Sequence, residues 1–169
     1  MKKTKVVCVG EALIDRIRNL SNQGFTDFLG GAPANVASAL RKLKIDSIFI
    51  GSLGSDDFGK KIIEKFNELE VNLDFLQLDN DSSTRVVNVQ RDQSGDRFFS
   101  GFESTSHLYF ADEALSMQLI EQELTNLEKC FLRTQYIVTG TNILSSPISA
   151  ETIFFILEQA KKSEVKVVI

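Results

Sequence analysis

Apolar residues fall into two patterns along the 169-residue chain. The first is a set of short continuous runs: Val6 to Val9, Ser47 to Ile50, Phe75 to Leu78, Tyr136 to Thr139 and Val165 to Ile169. Runs that are apolar on both faces predict buried strands of a parallel sheet. The second pattern has helical spacing. Val36, Ala39, Leu40 and Leu43 form one stripe, and Phe58, Ile62, Phe66 and Leu69 another, the latter behind a cap at Asp56. Leu115, Leu119, Ile120, Leu124 and Leu127 follow a cap at Asp112, and Ile153, Ile156, Leu157 and Ala160 belong to a helix over 147–162. The two prolines, Pro33 and Pro147, each stand at a predicted helix start, where a missing N–H costs nothing. The alternation of strand and helix predicts an α/β fold with right-handed crossovers.

Two segments break the rhythm. Residues 16–29 read as irregular, with Phe25, Phe28 and Leu29 in an edge strand. Thr84 to Arg91 and Arg97 to Phe102 read as a hairpin around Gly95, with Val87 and Val89 on one face and Asn88 and Gln90 on the other. A pair that is polar on one side does not belong at the centre of a parallel sheet. The chain is therefore read as one α/β domain over 1–169, with lid strands at about 16–29 and 84–102. Its last strand, Val165 to Ile169, expects a helix after it to cover its face. The chain reads as the N-terminal part of a larger fold, truncated before its C-terminal half. Exposed apolar surface and self-association are expected near Val165 to Ile169.

Composition narrows the class. Lys and Arg number 19, Asp and Glu 23, and 43% of residues are apolar. Those values describe a globular chain with no basic patch for nucleic acid. No run reaches the roughly 20 apolar residues that span a bilayer. The apolar run after Lys5 ends at Gly10-Glu11, too early for a signal peptide. One His and two distant cysteines, Cys8 and Cys130, give no zinc pattern. Both thiols are read as reduced and buried, as in a cytoplasmic protein.

Candidate chemistry clusters near the predicted strand ends, where open α/β sheets bind ligands. Asp15 follows the first strand and can accept two hydrogen bonds from a polyol, or stand as a solvated loop residue. Gly30-Gly31-Ala32-Pro33-Ala34-Asn35 is the sharpest local feature. Its glycines let a ligand approach the main chain, and Asn35 offers a donor and an acceptor. The same segment also fits a tight turn before a helix, and a bare helix N-terminus can bind an anion. Gly51-Ser52-Leu53-Gly54 is not a dinucleotide fingerprint, and no phosphate loop of the G-x-x-x-x-G-K-[ST] kind occurs. Arg85 and Arg97 lie on the lid strands, solvated or able to close over a sugar. His107 reads as a loop histidine, and neither it nor Glu103 is assigned a role.

Together these segments resemble the ribokinase-like (PfkB) carbohydrate kinase family. Gly10-Glu11-Ala12-Leu13-Ile14-Asp15 looks like its opening strand and sugar-contacting Asp. Gly30 to Ala37 is similar to its first signature, and Phe49 to Gly59 to its second conserved block. Thr84 to Val87 with Gly95 to Phe99 look like its lid hairpin. The wording of the first two motifs is most similar to fructokinases. The resemblance implies a Rossmann-like, mainly parallel sheet with a small β lid. It implies transfer of the ATP γ-phosphoryl to a sugar hydroxyl with Mg²⁺, fructose being the expected sugar. Asp15, Gly30, Gly31, Asn35, Arg85 and Arg97 would contact that sugar, and the lid would form a homodimer.

Departures accompany the likeness. Lys44 stands where the family has Gly or Ser. Leu13 replaces the Asn that ribokinases use, and no Glu of the ribokinase type lies near Gly140-Thr141-Asn142, which points away from ribose. The family's Gly-Ala-Gly-Asp motif, which carries the catalytic Asp and anion hole, is missing. No catalytic residue, metal or bound nucleotide is therefore expected on this chain, and it is expected to be inactive alone. Two alternatives remain open: a non-catalytic sugar-binding or dimerisation module, and a family kinase acting on a nucleoside or keto-deoxy sugar acid.

Overall fold

The computed structural model describes residues 5–19, 24–91, 97–103 and 109–169. Five parallel strands form the main sheet: β1 (Lys5–Val9), β4 (Ser47–Gly54), β5 (Asn72–Asp79), β8 (Thr134–Thr139) and β9 (Lys166–Val168), in the order β5-β4-β1-β8-β9. A second sheet has the order β3-β2-β6-β7, from β2 (Leu13–Arg18), β3 (Phe25–Gly30), β6 (Val86–Arg91) and β7 (Arg97–Phe102). Its inner pair, β2 and β6, runs parallel, and both outer pairs are antiparallel. This is the lid.

Asp15 therefore lies on a strand and not in a loop. The expected irregular stretch from residue 16 begins as β2, which pairs with β3 from Leu13↔Gly30 to Arg18↔Phe25. Arg16 and Arg18 disguised that strand, because Arg16 meets Asp27 and Glu103 and Arg18 is exposed. The hairpin turn expected at Asp92 to Asp96 lies outside the described residues.

Helix α1 (Ala32–Lys42) covers the main sheet with Pro33, Ala34, Ala37 and Ser38. Of the stripe predicted from Val36, Ala39, Leu40 and Leu43, Val36 and Leu40 pack against the core, whereas Leu43 is exposed and Ala39 faces water. Small residues bring the helix close to the sheet, so its inner face carries little hydrophobic bulk. Lys44, just past this helix, has φ 60°. That is the left-handed conformation that favours glycine.

Helix α2 (Asp57–Glu68) buries Ile62 and Phe66, and the Phe66 ring lies 4.9 Å from that of Phe49. Asp56 caps it as expected, accepting from the Gly59 N–H at 2.8 Å. The long helix expected behind Asp112 is instead a short turn at Ala111–Glu113 followed by α3 (Met117–Gln122) and α4 (Leu124–Phe131). Ser116 caps α3, because the Asp112 carboxylate is drawn to Arg85. Helix α5 (Pro147–Lys162) has the predicted bounds and buries Ile153, Ile156 and Ala160.

The main sheet divides the core in two. One side gathers Val7, Val9, Ile50 and Ile137 with Leu115, Leu127, Phe131 and Ile156. The other gathers Cys8, Phe49 and Leu53 with Ala34, Ala37, Ile62 and Phe66. Burial pushes the Cys8 thiol up to about 12. Cys130 is only half-buried, beside the Thr134 hydroxyl at 3.7 Å, contrary to the expectation of full burial. Val167, Val168 and Ile169 are exposed. Among the described residues no helix is long and apolar enough to cross a membrane.

Candidate functional site

Strand order reverses between β1 and β8, with β4 and β5 on one side and β9 on the other. Crevices form at such a switch point, beyond the carboxyl ends of the strands. Three segments meet there: Gly10-Glu11-Ala12 after β1, Gly31-Ala32 at the start of α1, and Gly140 after β8. A Cβ placed on Gly140 would lie 3.7 Å from Glu11 Oε2 and 3.8 Å from Pro33 Cδ. Thr141 and Asn142 follow and are exposed.

Four of the residues singled out from the sequence converge on one side of this crevice. Asp15 is half-buried on β2, and a Cβ on Gly30 would fall 2.7 Å from its Oδ2. Glycine at position 30 thus makes room for the carboxylate. Gly31 has φ 94°, and a Cβ there would strike the Glu11 carbonyl oxygen. Both the angle and the space demand glycine. The Asn35 N–H donates to the Gly31 carbonyl at 2.9 Å, and the Asn35 residue is exposed. The Asp15 carboxylate on β2 thus lies against Gly30, at the turn that leads to the exposed Asn35, and these residue types offer donors and acceptors suited to a polyol.

Arg85 does not join this group in the structure. Arg85 precedes β6 and is buried, with Nε 2.9 Å from Asp112 Oδ2 and Nη2 2.9 Å from Glu113 Oε1. Its guanidinium lies 4.5 Å from the Phe110 ring centre and 5.1 Å from that of Phe102. Burial pushes the Asp112 carboxyl up, against the pull of Arg85. The expectation that Arg85 closes over a ligand is replaced by an anchor between lid and main domain. Arg97 opens β7, but its side chain, like His107, lies outside the described residues.

Further contacts fix the lid. Asp56 Oδ2 accepts from the Thr84 N–H at 2.8 Å, and Thr84 Oγ1 accepts from the Gly54 N–H at 3.1 Å. Arg16 holds Asp27 through two bonds of 2.8 and 3.0 Å and also pairs with Glu103. Its guanidinium lies 4.9 Å from the Phe58 ring centre of α2. The hydrogen bond from Arg16 holds the Asp27 carboxyl below its ordinary value.

Sequence reasoning missed Glu11, quoting it within a motif without a role. It is 6% exposed. Oε1 accepts from the Ala32 N–H at 3.1 Å, and Oε2 is buried with no partner. The signal was a lone acidic residue between Gly10 and Ala12, directly at the exit of an apolar strand. The N-terminus of α1 is consequently not bare, as the sequence suggested, but carries a carboxylate. Among the described residues, no group of three His, Cys, Asp or Glu side chains could hold a metal ion.

Comparison with known proteins decides the class. Residues 3–169 match the pfkB family of carbohydrate kinases. The chain belongs to that family. A probable fructokinase-5 of Arabidopsis thaliana is 33% identical over 132 residues, covering 75% of this chain and 40% of the relative. An ATP-dependent 6-phosphofructokinase of Thermoanaerobacterium thermosaccharolyticum is 27% identical over 178 residues, covering 98% and 49%. The fructokinase of Xylella fastidiosa, solved with bound ATP, superposes with a TM-score of 0.83 at 28% identity, covering 98% of this chain and 48% of that one. This pfkB chain thus has the ribokinase-like α/β architecture expected of it, and it spans about half the length of these relatives.

Proposed function

We propose that the chain is the sugar-binding portion of a fructokinase-like sugar kinase, working in the cytoplasm. Asp15, Gly30, Gly31 and Asn35 hydrogen-bond the acceptor sugar, fructose, and the lid excludes water from it. The observation that carries this reading is the convergence of those four residues at the side of the β1–β8 switch point in a pfkB chain. In the intact enzyme the sugar hydroxyl attacks the γ-phosphorus of ATP, the bond to ADP breaks, and a base takes the hydroxyl proton. ATP and Mg²⁺ supply and neutralise the transferred group.

The residues of this chain do not fit a triphosphate. It has no Gly-Ala-Gly-Asp segment, and the α1 N-terminus at the crevice is taken by Glu11. What the chain contributes is positioning of the acceptor. Calorimetry of the 169-residue chain is expected to show fructose binding that Asp15→Ala weakens at least about tenfold. A coupled assay of the same chain with ATP is expected to show no phosphorylation. Absence of fructose binding overturns the sugar site, and ATP-dependent turnover overturns the division of labour.

The lid also offers a contact face. Phe28, Phe99 and Phe102 are exposed on the lid face that carries Val87 and Val89, Phe99 at 74%. Exposed aromatic rings of this kind mark interaction surfaces, and a homodimer through the lid is part of the proposal. A monomer by sedimentation at micromolar concentration would count against it.

A further inference from the structure

We infer that the open edge of β5, walled by α3, is a docking groove for an extended peptide that begins with a basic residue, alternates apolar ones and ends on an acidic one. Strand β5 is the outermost of the main sheet, paired with β4 alone among the described residues. An edge of this kind presents unpaired N–H and C=O groups and is a ready template for another chain. A cavity of about 270 Å³ lies along this one, lined by the consecutive residues Asp74 to Leu78. Successive side chains point to opposite faces of a sheet. A run of neighbours therefore shares one cavity only along the backbone edge of the strand. The far wall is α3, which brings Leu119 and Ile120. Gln77 fixes that wall in place. Its Nε2 donates to the Ser116 carbonyl at 3.0 Å, and its Oε1 accepts from the Ser116 N–H at 2.7 Å.

The occupant follows from what the groove offers. Leu78 and Leu119 line it and are 53% and 43% exposed, a place for apolar side chains. Its two ends differ in charge. Past the start of β5 it runs into a cavity of about 360 Å³ lined by Lys5, Lys129 and Arg133. None of these three forms an ion pair among the described residues. The carboxylates on the same wall are engaged: Asp74 accepts from Asn72 at 2.8 Å, and Glu123 from Asn126 at 2.7 Å. Past the end of β5 a cavity of about 340 Å³ is lined by Asp79 and Asp81, with no cation. The Asp74 N–H already donates to Asn72 Oδ1 at 3.2 Å, so the edge open to a partner begins at Phe75. Antiparallel pairs are the more stable per residue, and an antiparallel peptide starts at the acidic end and finishes at the basic one. Charge complementarity then fixes its order, cation first and anion last. A second copy of the chain is the poorer occupant, because antiparallel pairing of two β5 edges brings both α3 walls to one face over a single shared groove.

Peptides test this without any variant. The probe is a peptide blocked at both ends, long enough to span Phe75 to Asp79, with one lysine first, alternating valines and serines, and one glutamate last. Calorimetry of the 169-residue chain with this probe is expected to give a Kd of about 100 μM or below. Exchanging the lysine and glutamate is expected to weaken binding at least about tenfold. N-methylation of one alternate set of its amides is expected to abolish binding and of the other set to be tolerated, since an added strand is held by its main chain. Hydrogen exchange is expected to show new protection over Phe75 to Asp79. Leu119→Lys, at an exposed position, is expected to weaken the probe about tenfold with Tm unchanged. No binding at about 1 mM overturns the inference. So do equal affinity for the two charge orders, indifference to N-methylation, and protection elsewhere, the lid included. Self-association of the chain that Leu119→Lys abolishes would assign the groove to a second copy and overturn the peptide.

Discussion

The main sheet and the lid are held together by different physics. In the main sheet every residue of β4 is buried, and side chains such as Phe49, Ile50 and Leu53 meet apolar neighbours on both faces. Burial of that kind is non-directional and depends on area and packing. The lid has a small apolar cluster of its own, Leu13, Val87 and Val89 with Ile17 against it, and its Ile14, Val86 and Leu29 join the core beneath α1 and α2. Its remaining attachments are directional: Arg16 to Asp27 and Glu103, Arg85 to Asp112 and Glu113, and Asp56 to Thr84. A scaffold that must not move rests on packing. The lid adds to its packing a few bonds that fix its orientation.

Mutations sharpen the contrast. Phe66→Ala removes a fully buried ring from the main core and is expected to cost about 3–5 kcal/mol in urea unfolding. A loss below about 1 kcal/mol would mean that the core is not packed as described. Arg85→Met leaves Asp112 buried without its cation and is expected to cost about 3 kcal/mol. Adding Asp112→Leu is expected to recover most of that loss, since an apolar pair of similar volume suits a buried site. A double variant no better than Arg85→Met would show that the pair does more than satisfy itself.

The smallest effect is on pH. Arg16 lowers the folded-state value of Asp27 below its ordinary one. The resulting stabilisation is fully present above the unfolded value, near 3.9, and is lost as pH falls through the lower folded value. Wild type is expected to lose more Tm than Asp27→Asn across that acid range. Parallel acid curves for the two proteins would remove Arg16–Asp27 from the forces holding the lid.

The same contrast explains what could be read from the sequence. Val6 to Val9 and Tyr136 to Thr139 announce themselves because both of their faces demand apolar residues. Strand β2 did not, since Arg16 and Arg18 find charged or exposed surroundings and break the apolar alternation. The centre of the inner face of α1 was missed because Ala34 and Ala37 carry too little bulk to stand out from Val36 and Leu40 at its flank. Of the site, Asp15 and the Gly30 to Asn35 turn were legible as local motifs. Glu11 and the true partners of Arg85 were not. Their roles depend on residues 21 and 27 positions away, Ala32 and Asp112.

The parallel pairing of β2 with β6 sets residue 14 beside residue 86. Compaction of α1, β4, α2 and β5 between them shortens the loop those strands must close. Closing so long a loop in an open chain costs entropy that four paired residues repay slowly. The register therefore favours condensation of the β-α-β units ahead of the lid, and on a nascent chain β2 waits for its inner partner until residues 86–89 have been made.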